Sequence, residues 1–243
     1  MTAIPTQSAY SRDHADVFEA VHAARGRDWA AEADTVTRLA LQRSPGATSL
    51  LDIACGTGAH LTRFRSRFAR VAGVELSPAM RGIAEDKLPG VPIHQADMRD
   101  FDLGERFDVI TCLCFSIAYT RDTDELRQVT TAIARHLTPD GVVVIEPWWF
   151  PTQFLDGYVT ASTATTNDRA VSRVSHSVRA DRSTHMTVRY TIADHRGIRD
   201  FTEHEVLSLF TEAEYTAAFE AAGIRVEHQP GPPNDRGLII GGL

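Results

Sequence analysis

Short apolar runs and amphipathic segments alternate along the first 150 or so residues of the chain. SLLDIA, RVAGVE and GVVVIE are nearly continuous in apolar residues, which is typical of strands buried on both faces of a sheet. Between such runs, segments like TDELRQVTTAIARHL repeat apolar residues at helical spacing. This alternation predicts an α/β fold with a doubly wound, mostly parallel sheet.

Two helical segments precede the first of these strands. Apolar residues recur at helical spacing over 13–24 and again over 28–42, and GRG interrupts the pattern between them. Further helix starts are indicated by Ser77 followed by Pro78, and by Thr123 before two acidic residues. We therefore expect two helices ahead of the first strand of the α/β domain.

The pattern changes after Pro151. Segments rich in β-branched residues alternate polar and apolar positions and are separated by turn sequences such as NDR and HRG. They predict an antiparallel β-meander inserted over 152–209, followed by a helix and two closing strands within 210–243. The insertion follows the fifth strand at its carboxyl end, where open α/β sheets bind ligands. Residues 1–151 and 210–243 are expected to form one domain.

A glycine loop follows the first apolar run. LLDIACGTGAH leads from a buried strand through Gly56 and Gly58 into a helix, and such glycines let backbone amides approach a ligand closely. Glu75 ends the next strand, where a carboxylate can accept both hydroxyls of a ribose. These features alone also fit a nicotinamide dehydrogenase or a structural turn. The dinucleotide fingerprint, however, has a third glycine where this chain has Leu61.

Three segments in order, DIACGTG, GVELSPAM and QADMRDF, resemble the class I S-adenosylmethionine-dependent methyltransferases. The resemblance implies the Rossmann-like fold of that class, with a seven-stranded sheet, and S-adenosylmethionine as cofactor. It places the ribose on Glu75 and the adenine amine on Asp97. The residues that it implies for cofactor binding are Trp29, Ala54, Gly56, Gly58, Glu75, Leu76, Met80, Asp97 and Met98.

Segments outside the cofactor half, including EPWWFP, RVSHSVR and RGLIIG, are similar to the dTDP-amino-sugar N,N-dimethyltransferases of desosamine and mycaminose biosynthesis. The resemblance implies that a dTDP-linked deoxyamino sugar is the substrate. It implies contacts to this sugar from Trp148, Trp149, Phe150, Ser175, Ser177, Arg179 and Arg236.

Individual roles follow for the acceptor-side residues. Adjacent residues on an extended chain face opposite ways, so one of Trp148 and Trp149 is expected to complete the core and the other to wall the acceptor pocket. Arg236 lies in GPPNDRGL, a loop that we expect to be too polar for burial, and the resemblance places it on the pyrophosphate.

The chemistry requires little of the protein. A sulfonium methyl is activated and a neutral amine is a good nucleophile, so alignment supplies most of the acceleration and no strong base is obligatory. The resemblance assigns orientation of the amine to Tyr119 and Tyr10 as the catalytic residues. It also implies that Trp29 closes over the methionine end of the cofactor and that the N-terminal helices act as a lid. Alternatives are methylation of another small-molecule amine or hydroxyl, and a non-catalytic S-adenosylmethionine-binding protein.

The net charge restricts the kinds of partner that we expect, and the cysteine content indicates the compartment. A formal net charge of -7 argues against nucleic acid as the main partner. Cys112 and Cys114 are expected to share one face of a strand, and an odd cysteine count without a leader indicates a reducing cytoplasm. No apolar run approaches the roughly 20 residues of a membrane span. We expect no metal site, and relatives of this kind imply a homodimer.

Overall fold

The structure, a computed structural model, describes residues 11–231 and 235–243. The helices are α1 (Arg12–Ala24), α2 (Trp29–Arg43), α3 (Ala59–Phe64), α4 (Pro78–Lys87), α5 (Thr123–His136) and α6 (Glu212–Ala221), with a 3-10 helix at Ser116–Tyr119. The strands are β1 (Ser49–Ile53), β2 (Arg70–Glu75), β3 (Ile93–Gln95), β4 (Phe107–Cys112), β5 (Leu137–Ile145), β6 (Tyr158–Thr165), β7 (Ala170–Ala180), β8 (Ser183–Asp194), β9 (Gly197–Ser208), β10 (Arg225–Gln229) and β11 (Leu238–Gly242).

Seven of these strands form one sheet in the order β10, β11, β5, β4, β1, β2, β3. Strands β1 to β5 pair in parallel, whereas β11 runs antiparallel to both of its neighbours, β5 and β10. The predicted seven-stranded, mostly parallel sheet is confirmed. The order reverses between β1 and β4, so a crevice opens there at the carboxyl ends of the strands.

The core lies on both faces of this sheet. Leu51 in β1 packs in a cluster with Val129 of α5 and Phe219 of α6. Its neighbour Leu50 points the opposite way and packs with Val36 of α2. Every residue of β1 is buried, as expected of a strand covered on both sides.

The remaining four strands form a separate antiparallel sheet in the order β6, β7, β8, β9. Burial alternates along β7 and β8, so one face of this sheet is covered and the other is open to solvent. The covered face packs against α1, where Val17 and Val21 contact a cluster that includes Val188 and Ile192. Helix α1 therefore lies between the inserted strands and the body of the protein.

One local expectation needs correction. Strand β4 ends at Cys112, and Cys114 and Phe115 both have φ near +50°, so Cys114 does not share a strand face with Cys112. Helix α5 begins at Thr123, as predicted, and the Asp122 carboxylate caps it by accepting hydrogen bonds from the first turn. Separately, none of the helices in 11–231 and 235–243 is long and apolar enough to cross a bilayer.

Strand β11 runs between two neighbours and tolerates no side chain at Gly241. A Cβ atom there would lie 1.9 Å from the carbonyl oxygen of Arg225. We expect Gly241→Ala to lower the free energy of unfolding by about 1–3 kcal/mol through overpacking, measured by thermal denaturation. The control is Gly82→Ala in α4, where a Cβ meets nothing within 4 Å and removal of a helical glycine stabilises by roughly 0.5–1 kcal/mol. Equal melting temperatures for the two variants would contradict this packing.

Candidate active site

One cavity of about 450 Å³ lies at the carboxyl ends of the parallel strands. Its lining comes from the loops after β1, β2, β3 and β4, from α1 and the start of α2, and from β7, β8 and β9 of the antiparallel sheet. The volume is within the range of small-molecule sites. A ligand held by the loops of the parallel sheet therefore shares its space with side chains of the inserted sheet.

The glycine loop between β1 and α3 forms the floor of this cavity. Gly56 and Gly58 have φ of +57° and +74°, a region that favours glycine, and Ala54 also has a positive φ. A Cβ on Gly56 would meet nothing within 4 Å, so the backbone there is open to a ligand. A Cβ on Gly58 would lie 2.7 Å from Leu88, so this glycine permits close packing instead.

Glu75 holds this loop from the end of β2. Its buried carboxylate accepts hydrogen bonds from the backbone N–H of Gly56 at 2.8 Å and of Ser77 at 2.7 Å. Burial raises the pKa of Glu75, and these hydrogen bonds offset part of the rise. The loop and the carboxylate are thus fixed relative to each other before any ligand binds.

A second carboxylate lies beneath the loop. Asp52 is buried, lines the cavity and accepts a hydrogen bond of 2.6 Å from the Thr111 hydroxyl. Burial raises the pKa of Asp52 to about 6. A cation bound nearby would favour its ionised form.

Asp97 follows β3 and faces the same cavity. It accepts hydrogen bonds of 2.9 Å from both the backbone N–H and the Nε of Arg99, and these hold its pKa below the ordinary value. The guanidinium of Arg99 also donates to Glu125 on α5 at 2.9 Å. Arg99 lines the cavity but was not among the predicted site residues, although it lies within the quoted segment QADMRDF.

Trp29 begins α2 and covers one side of the cavity. Its ring stacks on Phe18 at a centroid distance of 5.9 Å and meets the edge of His60 at 5.1 Å. The indole N–H is buried and has no hydrogen-bond partner among the described residues. A buried donor without a partner on a cavity wall suits a ligand oxygen, because leaving it unpaired costs about 1–3 kcal/mol.

Glu146, at the end of β5, joins distant parts of the chain and was missed by sequence reasoning. It is 1% exposed and accepts hydrogen bonds from Arg27 Nη2 at 2.7 Å, from the backbone N–H of Cys114 at 2.8 Å, and from Arg236. Burial raises its pKa, but the charges of Arg27 and Arg236 outweigh this and hold the pKa below the ordinary value. Glu146 is therefore ionised throughout the neutral range.

Arg27 extends the network into the helices that cover the cavity. Its guanidinium donates two parallel hydrogen bonds to the Glu32 carboxylate of α2, from Nε to Oε1 at 2.9 Å and from Nη2 to Oε2 at 2.8 Å. His60 Nε2 of α3 lies 3.1 Å from the same carboxylate. The connection between α1 and α2, and with it Trp29, is thus held on the body of the protein.

The environment of Arg236 differs from the expected one. Its side chain is only 13% exposed, so Arg236 itself is largely buried, although its loop was expected to be too polar for burial. Besides Glu146, it donates from Nε to the carbonyl of Pro147 at 3.1 Å. The rings of Phe115, Trp148 and Trp149 surround the guanidinium at 5.3–5.5 Å, which is favourable cation–π geometry.

The other acceptor-side residues lie in varied environments. Trp148 donates from Nε1 to Thr184 Oγ1 at 3.1 Å and packs against the cluster under the antiparallel sheet. Phe150 packs in the core of the large sheet. Ser175 and Ser177 are buried on β7, whereas Arg179 is exposed. None of the seven residues predicted to contact the sugar lines the cavity formed by the described residues, and their contact with a substrate stays a prediction.

Tyr119, at the end of the 3-10 helix, does line the cavity. Its hydroxyl donates to Glu205 Oε2 of β9 at 3.1 Å. Across the same space, Tyr190 lies 3.2 Å from His14 Nε2, and burial lowers the pKa of His14 to about 3. Tyr10 falls outside the described residues. Sequence alternation indicated one covered face for these strands but not that this face borders the ligand space.

Comparison with known proteins identifies the class. A family model described as a methyltransferase domain matches residues 50–141, which include the glycine loop, Glu75 and Asp97. The dTDP-4-amino-2,3,4,6-tetradeoxy-D-glucose N,N-dimethyltransferase of Saccharopolyspora spinosa is 64% identical over 97% of this chain and 95% of its own. The dTDP-3-amino-3,4,6-trideoxy-alpha-D-glucopyranose N,N-dimethyltransferase of Streptomyces venezuelae is 48% identical over 96% and 98%.

A solved structure agrees with these relatives. The SAM-bound CalS10 of Micromonospora echinaspora, an amino pentose methyltransferase involved in calicheamicin biosynthesis, superimposes with a TM-score of 0.85. It is 42% identical and covers 97% of this chain and 98% of its own. The chain is an S-adenosylmethionine-dependent methyltransferase. It belongs to the family of dTDP-amino-sugar N,N-dimethyltransferases.

The residues present fit the cofactor. Of the nine residues predicted to bind it, all except Gly58 line the cavity. The opening at Gly56 and the unpartnered indole N–H of Trp29 are both features that a bound ligand would complete. We retain Glu75 for the ribose and Asp97 for the adenine amine as predictions. In the described residues, no group of three or more histidine, cysteine or acidic side chains is arranged to hold a metal.

The two buried arginines make Glu146 essential for stability. Glu146→Gln should lower the free energy of unfolding in urea by about 3–5 kcal/mol, because Arg236 loses this buried counter-charge and Arg27 is left with Glu32. The matched control is Glu227→Gln, whose carboxylate is 69% exposed and pairs with Arg43 at the surface, so its loss should cost below about 1 kcal/mol. Similar losses in the two variants would show that the network is not a stabilising junction.

Cofactor affinity should depend on pH through Asp52. Its pKa of about 6 is raised above the ordinary value, so a bound cation must displace a proton at lower pH. We expect S-adenosylmethionine to bind roughly tenfold more weakly at pH 5 than at pH 7.5 in titration calorimetry. In Asp52→Asn this dependence should be largely absent. A variant with the same dependence as the parent would assign the titration to another group.

Proposed function

We propose that this enzyme transfers two methyl groups to the amino group at C4 of a dTDP-linked 4-amino deoxysugar. The observation that carries the assignment is the relation to the Saccharopolyspora spinosa enzyme, whose name specifies a 4-amino sugar and which is 64% identical. The Streptomyces venezuelae enzyme, named for a 3-amino sugar, is 48% identical over nearly the same length. The position of the amine is the finer part of this proposal.

Once the amine is neutral, the methyl-transfer step in this cavity depends on position rather than on acid or base catalysis. S-Adenosylmethionine supplies a methyl group activated by the sulfonium charge. The glycine loop and Glu75 are fixed by their hydrogen bonds, and Trp29 with Phe18 covers the cavity against water. Proximity and orientation of this kind account for about 7–11 kcal/mol in intramolecular reactions.

The amine must be neutral when it attacks. A sulfonium in the same cavity and the limited access of water both disfavour a second positive charge, so they favour the neutral amine. Tyr119 faces this space, and its hydroxyl can orient the amine. Tyr119 is thus the acceptor-side assignment with direct geometric support, while a role of Tyr10 remains part of the proposal.

The nucleotide end of the acceptor requires a separate surface. We place it along Arg236 and the tryptophan pair, because a planar guanidinium flanked by aromatic rings suits both pyrophosphate and thymine. This placement requires Arg236 to share its charge between Glu146 and the ligand. Its support is the resemblance in EPWWFP and RGLIIG together with the position of these rings.

We also infer a homodimer in the cytoplasm. The supporting feature for a dimer is the solvent-facing side of the antiparallel sheet, where Val159 and Val174 are 67% and 56% exposed. A second copy of the chain that packed on this face would remove these two side chains from water. The three cysteines, Cys55, Cys112 and Cys114, are all unpaired, which suits a reducing compartment.

Direct assay decides the position of the amine. We expect kcat/KM to be at least about tenfold higher for a dTDP-4-amino tetradeoxysugar than for a dTDP-3-amino trideoxysugar, a difference of roughly 1.4 kcal/mol in transition-state binding. Mass spectrometry should show mono- and dimethylated products in sequence. The control is the matching sugar with a hydroxyl in place of the amine, which should stay unmodified. Preference for the 3-amino sugar would overturn the C4 assignment.

A further inference from the structure

Five carboxylates line the cavity. Four of them are held by backbone N–H groups, hydroxyl groups or basic side chains. Asp52 lies beneath the glycine loop with Thr111, and Glu75 accepts two backbone N–H groups. Asp97 is held by Arg99, and Glu203 accepts from Ser11 at 2.8 Å, with His14 Nδ1 3.9 Å away. The fifth, Glu205, is bound differently.

Glu205 lies on β9, directly opposite Met186 of β8, with its side chain in the cavity. Its one hydrogen bond within the described residues comes from the Tyr119 hydroxyl, and no Lys, Arg or His nitrogen among those residues lies within 4.0 Å of its carboxylate. A carboxylate in a poorly hydrated cavity without an ion pair is costly. A cationic ligand group would relieve that cost.

The charged and titratable groups around Glu205 come from five elements. They are Arg25 at the end of α1, Tyr119, Arg173 of β7, Tyr190 of β8 and Glu203 of β9. Burial raises the pKa of Glu205, and the hydrogen bond from Tyr119 and the charge of Arg173 offset part of this rise. A carboxylate with a raised pKa is a better proton acceptor than one in water.

Dimethylation of an amine requires a group that accepts a proton. An amino sugar in neutral water is mainly an ammonium ion, which has no lone pair for attack. The first transfer then gives a secondary ammonium ion, and this also must lose a proton before a second transfer can occur. A tertiary ammonium product needs no further step.

We propose that Glu205 binds the reacting amine and accepts its proton, once before the first methyl transfer and again before the second. The inference rests on the proposed function, since it assumes an amino-sugar acceptor. Tyr119, through its hydrogen bond to Oε2, orients the carboxylate and leaves Oε1 to the amine.

A proton transfer precedes each methyl transfer. The ammonium gives a proton to the Glu205 carboxylate, and the neutral amine then forms its C–N bond as the carbon–sulfur bond breaks. Glu205 is partly exposed, so it returns its proton to water. It then accepts a proton from the secondary ammonium, and the second transfer follows after S-adenosylhomocysteine is replaced by S-adenosylmethionine.

Glu205→Gln tests this with little change in shape and with the Tyr119 contact retained. At pH 7 we expect kcat to fall roughly 100-fold or more, as for loss of a general base. Monomethylated sugar should accumulate. As the pH rises above the pKa of the substrate amine, the variant should recover to within a few-fold of the parent, because the amine then arrives neutral. Glu205→Asp should retain intermediate activity at pH 7.

Two controls separate this role from a structural one. Asp200→Asn removes a carboxylate of β9 that pairs with Arg189 at the surface, and it should match the parent. Cofactor affinity of Glu205→Gln by calorimetry should also match the parent. A loss of kcat that high pH does not restore, or unchanged dimethylation at pH 7, would overturn the role of Glu205.

Acceptor binding provides a readout that does not depend on turnover. With S-adenosylhomocysteine present, the parent should bind the amino sugar roughly ten- to 100-fold more tightly than its hydroxyl analogue, as for hydrogen bonds to charged groups. Glu205→Gln should lose this preference, and a retained preference would contradict the inference. If the parent methylates no dTDP-amino sugar, both the proposed function and this inference fail; if it does and the variant equals it, only the inference fails.

Discussion

The arrangement of the molecule depends on one buried ionic junction at Glu146. A carboxylate that is 1% exposed is stable as an anion only with counter-charge, and here Arg27 and Arg236 supply it from opposite ends of the chain. Arg27 belongs to the connection between the two N-terminal helices, and Arg236 precedes the last strand. The cavity wall at Trp29 and the tryptophan pair beside Arg236 are therefore both held at the end of β5, where Glu146 lies.

Two regions of the chain line the cavity. On one side, the glycine loop, Glu75 and Asp97 line the part of the cavity that is predicted to hold the nucleoside of the cofactor. On the other, the inserted antiparallel sheet brings Glu205 and Arg173 to the same cavity, where Glu205 meets Tyr119 of the 3-10 helix. A parallel sheet alone would leave its carboxyl edge open to water. The insertion covers that edge, and the shared cavity lets two small reactants meet with little solvent between them.

The cofactor half was predictable from sequence because its signals are local. A strand, a glycine turn and a helix follow each other within a dozen residues, and Glu75 lies at a fixed spacing beyond them. The junction at Glu146 could not be predicted from sequence, because its partners Arg27 and Arg236 lie 119 and 90 residues away along the chain. Charge pairing of this kind leaves no periodic signal in the sequence. Arg236 illustrates the limit: its polar loop suggested exposure, yet three aromatic rings and Glu146 enclose it. Glu205 was not among the predicted site residues, because an alternating strand pattern does not show which face of the strand borders a cavity.

The most direct measurement is a crystal structure of the enzyme with S-adenosylhomocysteine and a dTDP-4-amino deoxysugar. We expect the sugar nitrogen within hydrogen-bond distance of Glu205, with Tyr119 on the same carboxylate. The nitrogen should also point at the sulfur along the line that a methyl group would follow, at near-attack geometry. A sugar whose nitrogen lies outside this cavity, or faces away from the sulfur with Glu205 still unoccupied, would contradict the account.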